Sequence, residues 1–336
     1  MKFTLREVIR HQLRPLPEVS TFAVDLTGKV VIVTGANIGL GFETAKHLAS
    51  MKPAKLILAC RTPETGNKAA ADITQATGCS TVVCWQLDLS DPESVKAFAD
   101  KFEREGGGKL DILIENAAVG LFSWKRAVTG WEQTIATNHL GTAHLALRML
   151  PFLLKAEKPR LVIVASDVHY FVTDPNEADT DGVLQRLNDQ KQKGKFYAIS
   201  NRYQVSKLFN VLYARALSSH LPRGTSLTVN AVNPGLCVSS LLRDLNPVVR
   251  IPLRALSRPV ARSTEVGSRV FVHAAVATEL DGKTGEFLQS CKVDEPSDFV
   301  ISERGASASR RLWTDTLADL SEFDDQVPVG VNRYLQ

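Results

Sequence analysis

The chain has 336 residues, 44% apolar and 23% charged, a balance that excludes a disordered polyelectrolyte and leaves enough apolar residues for a sizeable core. Its 40 basic and 36 acidic residues give a formal charge of +4 with the two signs interleaved, which argues against a nucleic-acid-binding surface. Five cysteines, Cys60, Cys79, Cys84, Cys237 and Cys291, are scattered without a Cys-x-x-Cys pair, so free thiols, a reducing compartment and no structural metal are expected.

At the N-terminus, Phe3, Leu5, Val8, Ile9 and Leu13 are spaced to share one side of a short helix flanked by basic residues. Two readings stay open for it: docking on the body of the protein, or contact with a lipid surface. Charges at Lys2, Arg6, Glu7 and Arg10 do not suit a secretory signal, and no apolar run reaches the length of a membrane span, so a cytoplasmic protein is expected. Short apolar runs at residues 29–33, 55–60, 81–87, 111–115, 160–165 and 226–232 then alternate with stretches of helical length. Strand and helix repeated in this way predict an α/β fold, a doubly wound parallel sheet with helices on both faces, because parallel strands need long crossovers. Asp91-Pro92-Glu93 carries the marks of a helix start, and Gly106-Gly107-Gly108 those of its end. Two segments look inserted into this frame. Residues 168–202 are polar, with a helix expected over 182–192, and residues 236–259 are rich in leucine and arginine. After Glu303, the spacing of Leu312, Trp313, Leu317 and Leu320 predicts a helix packed on the body.

The first apolar run leads into Thr34-Gly35-Ala36-Asn37-Ile38-Gly39-Leu40-Gly41. Glycines between a strand and a helix let the backbone approach a pyrophosphate at the helix N-terminus, where unpaired N–H groups point outward. The second strand ends in Ala59-Cys60-Arg61, where many dinucleotide folds place an acid for the ribose hydroxyls. Arg61 suits a 2′-phosphate instead, so NADP(H) is expected over NAD(H). Asp88-Leu89 closes the third strand and Asn116-Ala117 the fourth, at the carboxyl edge where open α/β sheets bind ligands. Asp88 can accept from an adenine amino group; Asn116 fits equally a strand-end cap.

Tyr203 and Lys207 stand four apart on a predicted helix and project from one face, so the ammonium can favour the ionised phenol. Ser166, at the end of the fifth strand, can hydrogen-bond a substrate oxygen. These motifs, in this order along the chain and joined by Asn138 and Asn233-Pro234-Gly235, resemble the short-chain dehydrogenase/reductase family. The closer likeness is to its retinol-dehydrogenase-like branch, as met in fungal secondary metabolism. The resemblance runs from about Leu26 to Trp313. It implies a Rossmann-like sheet of about seven strands and a catalytic set of Asn138, Ser166, Tyr203 and Lys207, with Asn138 in a water-linked proton relay to the lysine. It also implies that Pro234, Gly235, Cys237 and Ser239 hold the nicotinamide end. Glu115 and Ala118 stand where the family often has asparagine and glycine, and the interval from Ser166 to Tyr203 is long.

The domain reading that follows is an N-terminal extension over 1–25, a single NADP-binding catalytic domain over 26–322 with the two insertions, and a tail over 323–336. Substrate-lining candidates are Val119, Leu121, Phe122, His169, Tyr170, Phe171, Leu236, Leu241 and Leu242, mostly apolar or aromatic, which suits a lipophilic carbonyl or alcohol. Cofactor contacts are expected from Gly35, Asn37, Ile38, Gly39, Leu40, Gly41, Arg61, Asp88, Leu89, Asn116 and Ala117, together with Tyr203 and Lys207. A nucleotide-sugar epimerase shares the Tyr-x-x-x-Lys pair but usually has another glycine spacing, and an NADP(H) sensor without turnover has no need of Ser166, Tyr203 and Lys207 together. The helices starting near Asn138 and Tyr203 suit either a homodimer face or burial under the long insertion.

Overall fold

The computed structural model describes residues 5–121, 123–172, 179–189, 201–238, 258 and 260–336. After helix α1 (Leu5–Leu13), strands and helices alternate: β1 (Val30–Thr34), α2 (Gly39–Ala49), β2 (Lys55–Cys60), α3 (Pro63–Thr77), β3 (Val82–Gln86), α4 (Pro92–Glu105) and β4 (Ile112–Glu115). A short helix α5 (Gln133–Ile135) runs through a π-turn (Ala136–Gly141) into α6 (Thr142–Leu153), followed by β5 (Arg160–Val164), α7 (Val183–Asn188), α8 (Asn201–Ser219) and β6 (Thr228–Asn233). The chain continues through α9 (Thr264–Val276), β7 (Phe287–Gln289), β8 (Lys292–Asp294), α10 (Asp298–Ile301), α11 (Glu303–Phe323) and α12 (Gln326–Tyr334). The eight strands form one sheet in the order β3-β2-β1-β4-β5-β6-β7-β8. All neighbours pair in parallel except β7 and β8.

Every residue of β1 is buried, as expected of a parallel strand covered on both faces. Val31 and Val33 face the core beneath α2, α3 and α9, while Val30 and Ile32 face the core built with α4, α6 and α8. The two-residue period of a strand therefore divides one apolar run between two cores. Asp91 caps α4 by accepting from Glu93 N–H at 3.1 Å, and Pro92 opens the helix, where its missing N–H costs nothing. From β1 the chain winds outward to β3, then returns to lay β4 on the other side of β1. That reversal opens a crevice between the carboxyl ends of β1 and β4.

The six expected strands are present, and the two further ones complete the edge. β7 and β8 are three residues each, joined through Ser290 and Cys291 with φ of 51° and 56°, a two-residue hairpin of the left-handed type made without glycine. The helix expected over 182–192 is seen over Val183–Asn188, and the remainder of that stretch from 190 lies outside the described residues. Residues 326–334, expected as part of a tail, form α12 packed on α6. No helix among the described residues is long and apolar enough to cross a membrane.

The turn into α12 is anchored by Asp324, which is buried. Its Oδ2 accepts from His144 Nε2 and from Arg148 Nη1, each at 2.7 Å. Burial alone would raise the Asp324 carboxyl, but the bonds from His144, the Gln326 N–H and Arg148 outweigh it and hold the group below the ordinary carboxylate range. A depressed folded-state pKa adds stability above the unfolded value of about 3.9, and that stability is lost as pH falls through the folded value. Asp324→Asn is expected to lower the unfolding free energy in urea by about 3 kcal/mol at neutral pH, because Arg148 and His144 lose their buried partner. The difference from wild type should shrink on acidification; equal stability at neutral pH would contradict the anchor.

Candidate active site

The turn between β1 and α2 is shaped by its glycines. Gly35 and Gly39 both have φ of 64°, a left-handed conformation that glycine takes without strain. A Cβ on Gly41 would lie 2.5 Å from Gly35 O and from Asn116 Nδ2, so no side chain fits there. The Asn116 amide donates to Thr34 O at 2.9 Å and Gly35 O at 3.3 Å, while Ala117 N–H donates to Thr34 Oγ1 at 2.9 Å. Asn116 and Ala117 thus lash the end of β4 to the glycine turn, the strand-end role that sequence left open for Asn116. Asn37 reaches across to Thr65 Oγ1 at 3.2 Å and ties the turn to α3. Ile38, extended and 43% exposed, precedes α2 and supplies no side-chain cap. The first-turn N–H groups of α2 are left for an anion. These features fit a dinucleotide pyrophosphate.

Arg61 follows β2, is exposed, and makes no hydrogen bond or ion pair among the described residues. Asp88 Oδ1 accepts from Ser90 N–H at 2.9 Å and Ser90 Oγ at 2.7 Å, which shapes the bend after β3. Leu89 is buried, and a side chain on Gly141 would overlap Leu89 O, so the π-turn presses against this bend. On the other side of the crevice, Gly235 has φ of 76° and its N–H donates to Asn233 Oδ1 at 3.0 Å. Cys237 points its thiol at Pro234 O, 3.6 Å away, and a side chain on Gly267 of α9 would overlap Sγ and lie 2.8 Å from Leu40 Cδ2. Burial pushes the thiol up to about 12, so Cys237 packs the loop as an inert group. Ser239 lies outside the described residues.

Ser166 caps the 3-10 turn Asp167–Phe171. Its Oγ donates to Asp167 Oδ1 at 3.1 Å and accepts weakly from Val168 N–H at 3.4 Å. Lys207 is buried, and its Nζ donates to Val164 O at 2.6 Å, an oxygen shared with Asn210 Nδ2 at 3.0 Å. Nζ lies 5.7 Å from the centre of the Tyr203 ring. Asn138, wholly buried, donates through Nδ2 to Val119 O at 2.9 Å and Ser206 Oγ at 3.1 Å, and its Oδ1 accepts from Val119 N–H at 2.8 Å. Ser206 Oγ in turn donates to Tyr203 O at 2.8 Å. Lys207 is thus tied to the carboxyl end of β5 through Val164 O, two residues before Ser166, and Asn138 is tied to the Tyr203 turn through Ser206. Both N–H groups of the Asn138 amide are thus engaged, and its Oδ1 accepts one bond. The π-turn that carries this residue is the sort of helix defect that leaves a carbonyl without an intrahelical partner.

Burial draws Lys207 down to about 7, so its ammonium is only partly charged at neutral pH. Burial, followed by the Asp167 carboxylate, pushes the Tyr203 phenol above its ordinary value. The pair on its own does not hold an acidic phenol; a further positive charge is required. The Tyr203 hydroxyl makes no hydrogen bond among the described residues. Glu115, at the position where asparagine was expected, is buried with neither carboxylate oxygen bonded, and burial pushes it far above the usual range.

Of the lining candidates, Leu121 is buried, Val119 is partly buried, and Phe171 and Leu236 are exposed at 47% and 45%. His169 is a correction. It is buried, its Nδ1 faces Ser166 O at 2.6 Å, and its Nε2 accepts from Ser297 N–H at 3.1 Å, so it tethers the Ser166 turn instead of lining a pocket. Tyr170 similarly donates to Glu295 O at 2.5 Å. Phe122, Leu241 and Leu242 lie outside the described residues. Ser206, Asn210 and Asp167 were not singled out from sequence; each follows or neighbours a motif residue, and only the fold reveals what it holds.

The family profile described as short chain dehydrogenase matches residues 29–177. The short-chain dehydrogenase anuD of Penicillium roqueforti is 36% identical over 326 residues, spanning 93% of this chain and 82% of the relative. Mouse retinol dehydrogenase 12 is 35% identical over 296 residues, spanning 88% and 87%. A crystal structure of a Mycobacterium paratuberculosis protein superposes with a TM-score of 0.64 at 26% identity, covering 92% of this chain and 97% of that one. With the crevice, the glycine turn and these likenesses in hand, the chain belongs to the short-chain dehydrogenase/reductase family, on its retinol-dehydrogenase-like side, and is an oxidoreductase.

Proposed function

We propose that the protein moves hydride between NADP(H) and the carbonyl or alcohol carbon of a lipophilic small molecule, in the cytoplasm and in secondary metabolism. The observation that carries this reading is Tyr203, whose hydroxyl is unengaged among the described residues while its helical turn is fastened by Ser206 and Asn138 over the buried Lys207. A bound nicotinamide supplies or takes the hydride, and in its oxidised form contributes the positive charge that the Tyr203–Lys207 pair lacks. In reduction, Tyr203 gives its phenolic proton to the substrate oxygen as negative charge develops there; in oxidation, the same oxygen takes the proton back. Ser166 Oγ turns from Asp167 to the substrate oxygen and orients it. Lys207 Nζ, with a pKa drawn to about 7, holds a proton that exchanges readily near neutral pH and can refill the phenol.

Arg61 supports the phosphorylated cofactor: it stands exposed at the end of β2 without a partner among the described residues, and a guanidinium suits bidentate phosphate binding. Exposed Phe171 and Leu236 together with Val119 and Leu121 support a lipophilic substrate, and five free cysteines support a reducing compartment.

Tyr203→Phe is expected to reduce NADPH oxidation with a panel of lipophilic ketones and aldehydes by roughly 100- to 10,000-fold, the usual worth of a general acid, with NADPH binding retained. Equal turnover in the variant would defeat the assignment. Arg61→Asp should weaken NADPH by about 1.5–3 kcal/mol while NADH binding holds or improves, measured by titrating each nucleotide. An unchanged preference would place phosphate recognition on another group.

A further inference from the structure

Helix α1 is tied to the body of the protein by polar groups at its C-terminal end. Among the described side chains of its apolar stripe, Ile9 and Leu13 are 48% and 63% exposed. Phe3 lies outside the described residues. The Gln12 amide spends three hydrogen bonds on two distant segments. Its Nε2 donates to Leu236 O at 2.9 Å and Val260 O at 2.7 Å, and its Oε1 accepts from Leu236 N–H at 2.9 Å. These segments also pair directly, through Val238 N–H to Arg262 O and Arg262 N–H to Leu236 O, both 2.9 Å. Gln12 therefore sits as an added rung beside the bridge between residues 236–238 and 260–262.

Arg262 completes the clamp from the opposite side. Only 8% exposed, it donates to Pro234 O at 3.0 Å and to two carbonyls at the end of α1, His11 O at 2.5 Å and Arg14 O at 3.3 Å. A cation on those carbonyls satisfies groups that a helix end leaves unpaired. The clamp also explains a glycine. A Cβ on Gly235 would lie 2.8 Å from Gln12 Oε1 and 3.0 Å from Arg262 Nη1. From there the contacts run on: Asn233 donates to Gln289 Oε1 at 3.1 Å, Gln289 donates to Asp294 Oδ2 at 2.7 Å, and His11 Nδ1 lies 3.6 Å from the same oxygen. A small polar cavity inside this ring is lined by Gln12, Gly235, Arg262 and also Asp167, the partner of Ser166.

We propose that Gln12 and Arg262 are positioning residues of the dinucleotide site, holding the loop at residues 234–238 where it meets the nicotinamide half of the cofactor. The inference rests on the proposed reading of that loop, and it makes the N-terminal segment part of the site. Neither residue touches the reacting atoms; both act through the backbone of Pro234, Gly235 and Leu236. The adenine half is held elsewhere, at the glycine turn and Arg61, so loss of the clamp should be felt by one half of the ligand only.

The test is equilibrium binding of NADPH and of 2′,5′-ADP, which carries the adenosine and 2′-phosphate without nicotinamide, to wild type and to Gln12→Ala. Gln12 is only partly buried, so the alanine variant is the first choice, with Arg262→Lys as a second. The expected result is NADPH binding weaker by about tenfold, which is the loss of about 1.4 kcal/mol, with 2′,5′-ADP binding unchanged. Equal weakening of both ligands would mean a general loss of structure and would overturn the positioning role, as would no change in either. Wild type that binds neither ligand would instead overturn the dinucleotide reading itself and the clamp's role with it.

Discussion

The carbonyl of Val164 at the end of β5 is the point on which the site is built. It accepts Lys207 Nζ at 2.6 Å and Asn210 Nδ2 at 3.0 Å, and two residues later the chain delivers Ser166. A buried lysine that spends a proton on a neutral carbonyl gains no opposite charge, so desolvation dominates and its pKa drops to about 7. The consequence is chemical. A lysine with an ordinary pKa would be a fixed charge at neutral pH, whereas this one is poised to give and take a proton. The same burial makes the Tyr203 phenol a poor acid on its own, so ionisation must wait for a further cation.

Around this point the fold supplies rigidity from both sides. The strand reversal between β1 and β4 creates the crevice, and the Asn116 amide locks it by bonding Thr34 O and Gly35 O. The π-turn carrying Asn138 lies close against the bend after β3, which is why Gly141 must lack a side chain. His169 and Tyr170 tether the Ser166 turn to Ser297 and Glu295, residues reached only after β8. A site built at strand ends is positioned by elements that the chain contributes far apart.

This distance explains what was legible in the sequence. The six longer strands were readable because parallel strands buried on both faces are continuous apolar runs, and the glycine turn and the Tyr203–Lys207 spacing are local patterns. β7 and β8 were not, since three residues show no period and their hairpin uses Ser290 and Cys291 in place of a glycine signal. His169 looked like a pocket residue because its sequence neighbours Ser166, Tyr170 and Phe171 suggested one; its long-range bond from Ser297 N–H is invisible to spacing. The apolar stripe of α1 gave no sign of the tether made by Gln12 and Arg262, whose bonds span most of the chain. Lys207 was placed correctly beside Tyr203, but its lowered pKa depends on burial, which a four-residue spacing does not contain.

The most direct measurement of this account is the titration of the Lys207 side chain by NMR in lysine-labelled protein, with the resonance assigned by its loss in Lys207→Met. The account predicts a midpoint close to 7, with the amine charged below it and neutral above. A midpoint near the ordinary lysine value of about 10.4 would show a fully solvated or ion-paired ammonium and would contradict the poised lysine on which the site is argued.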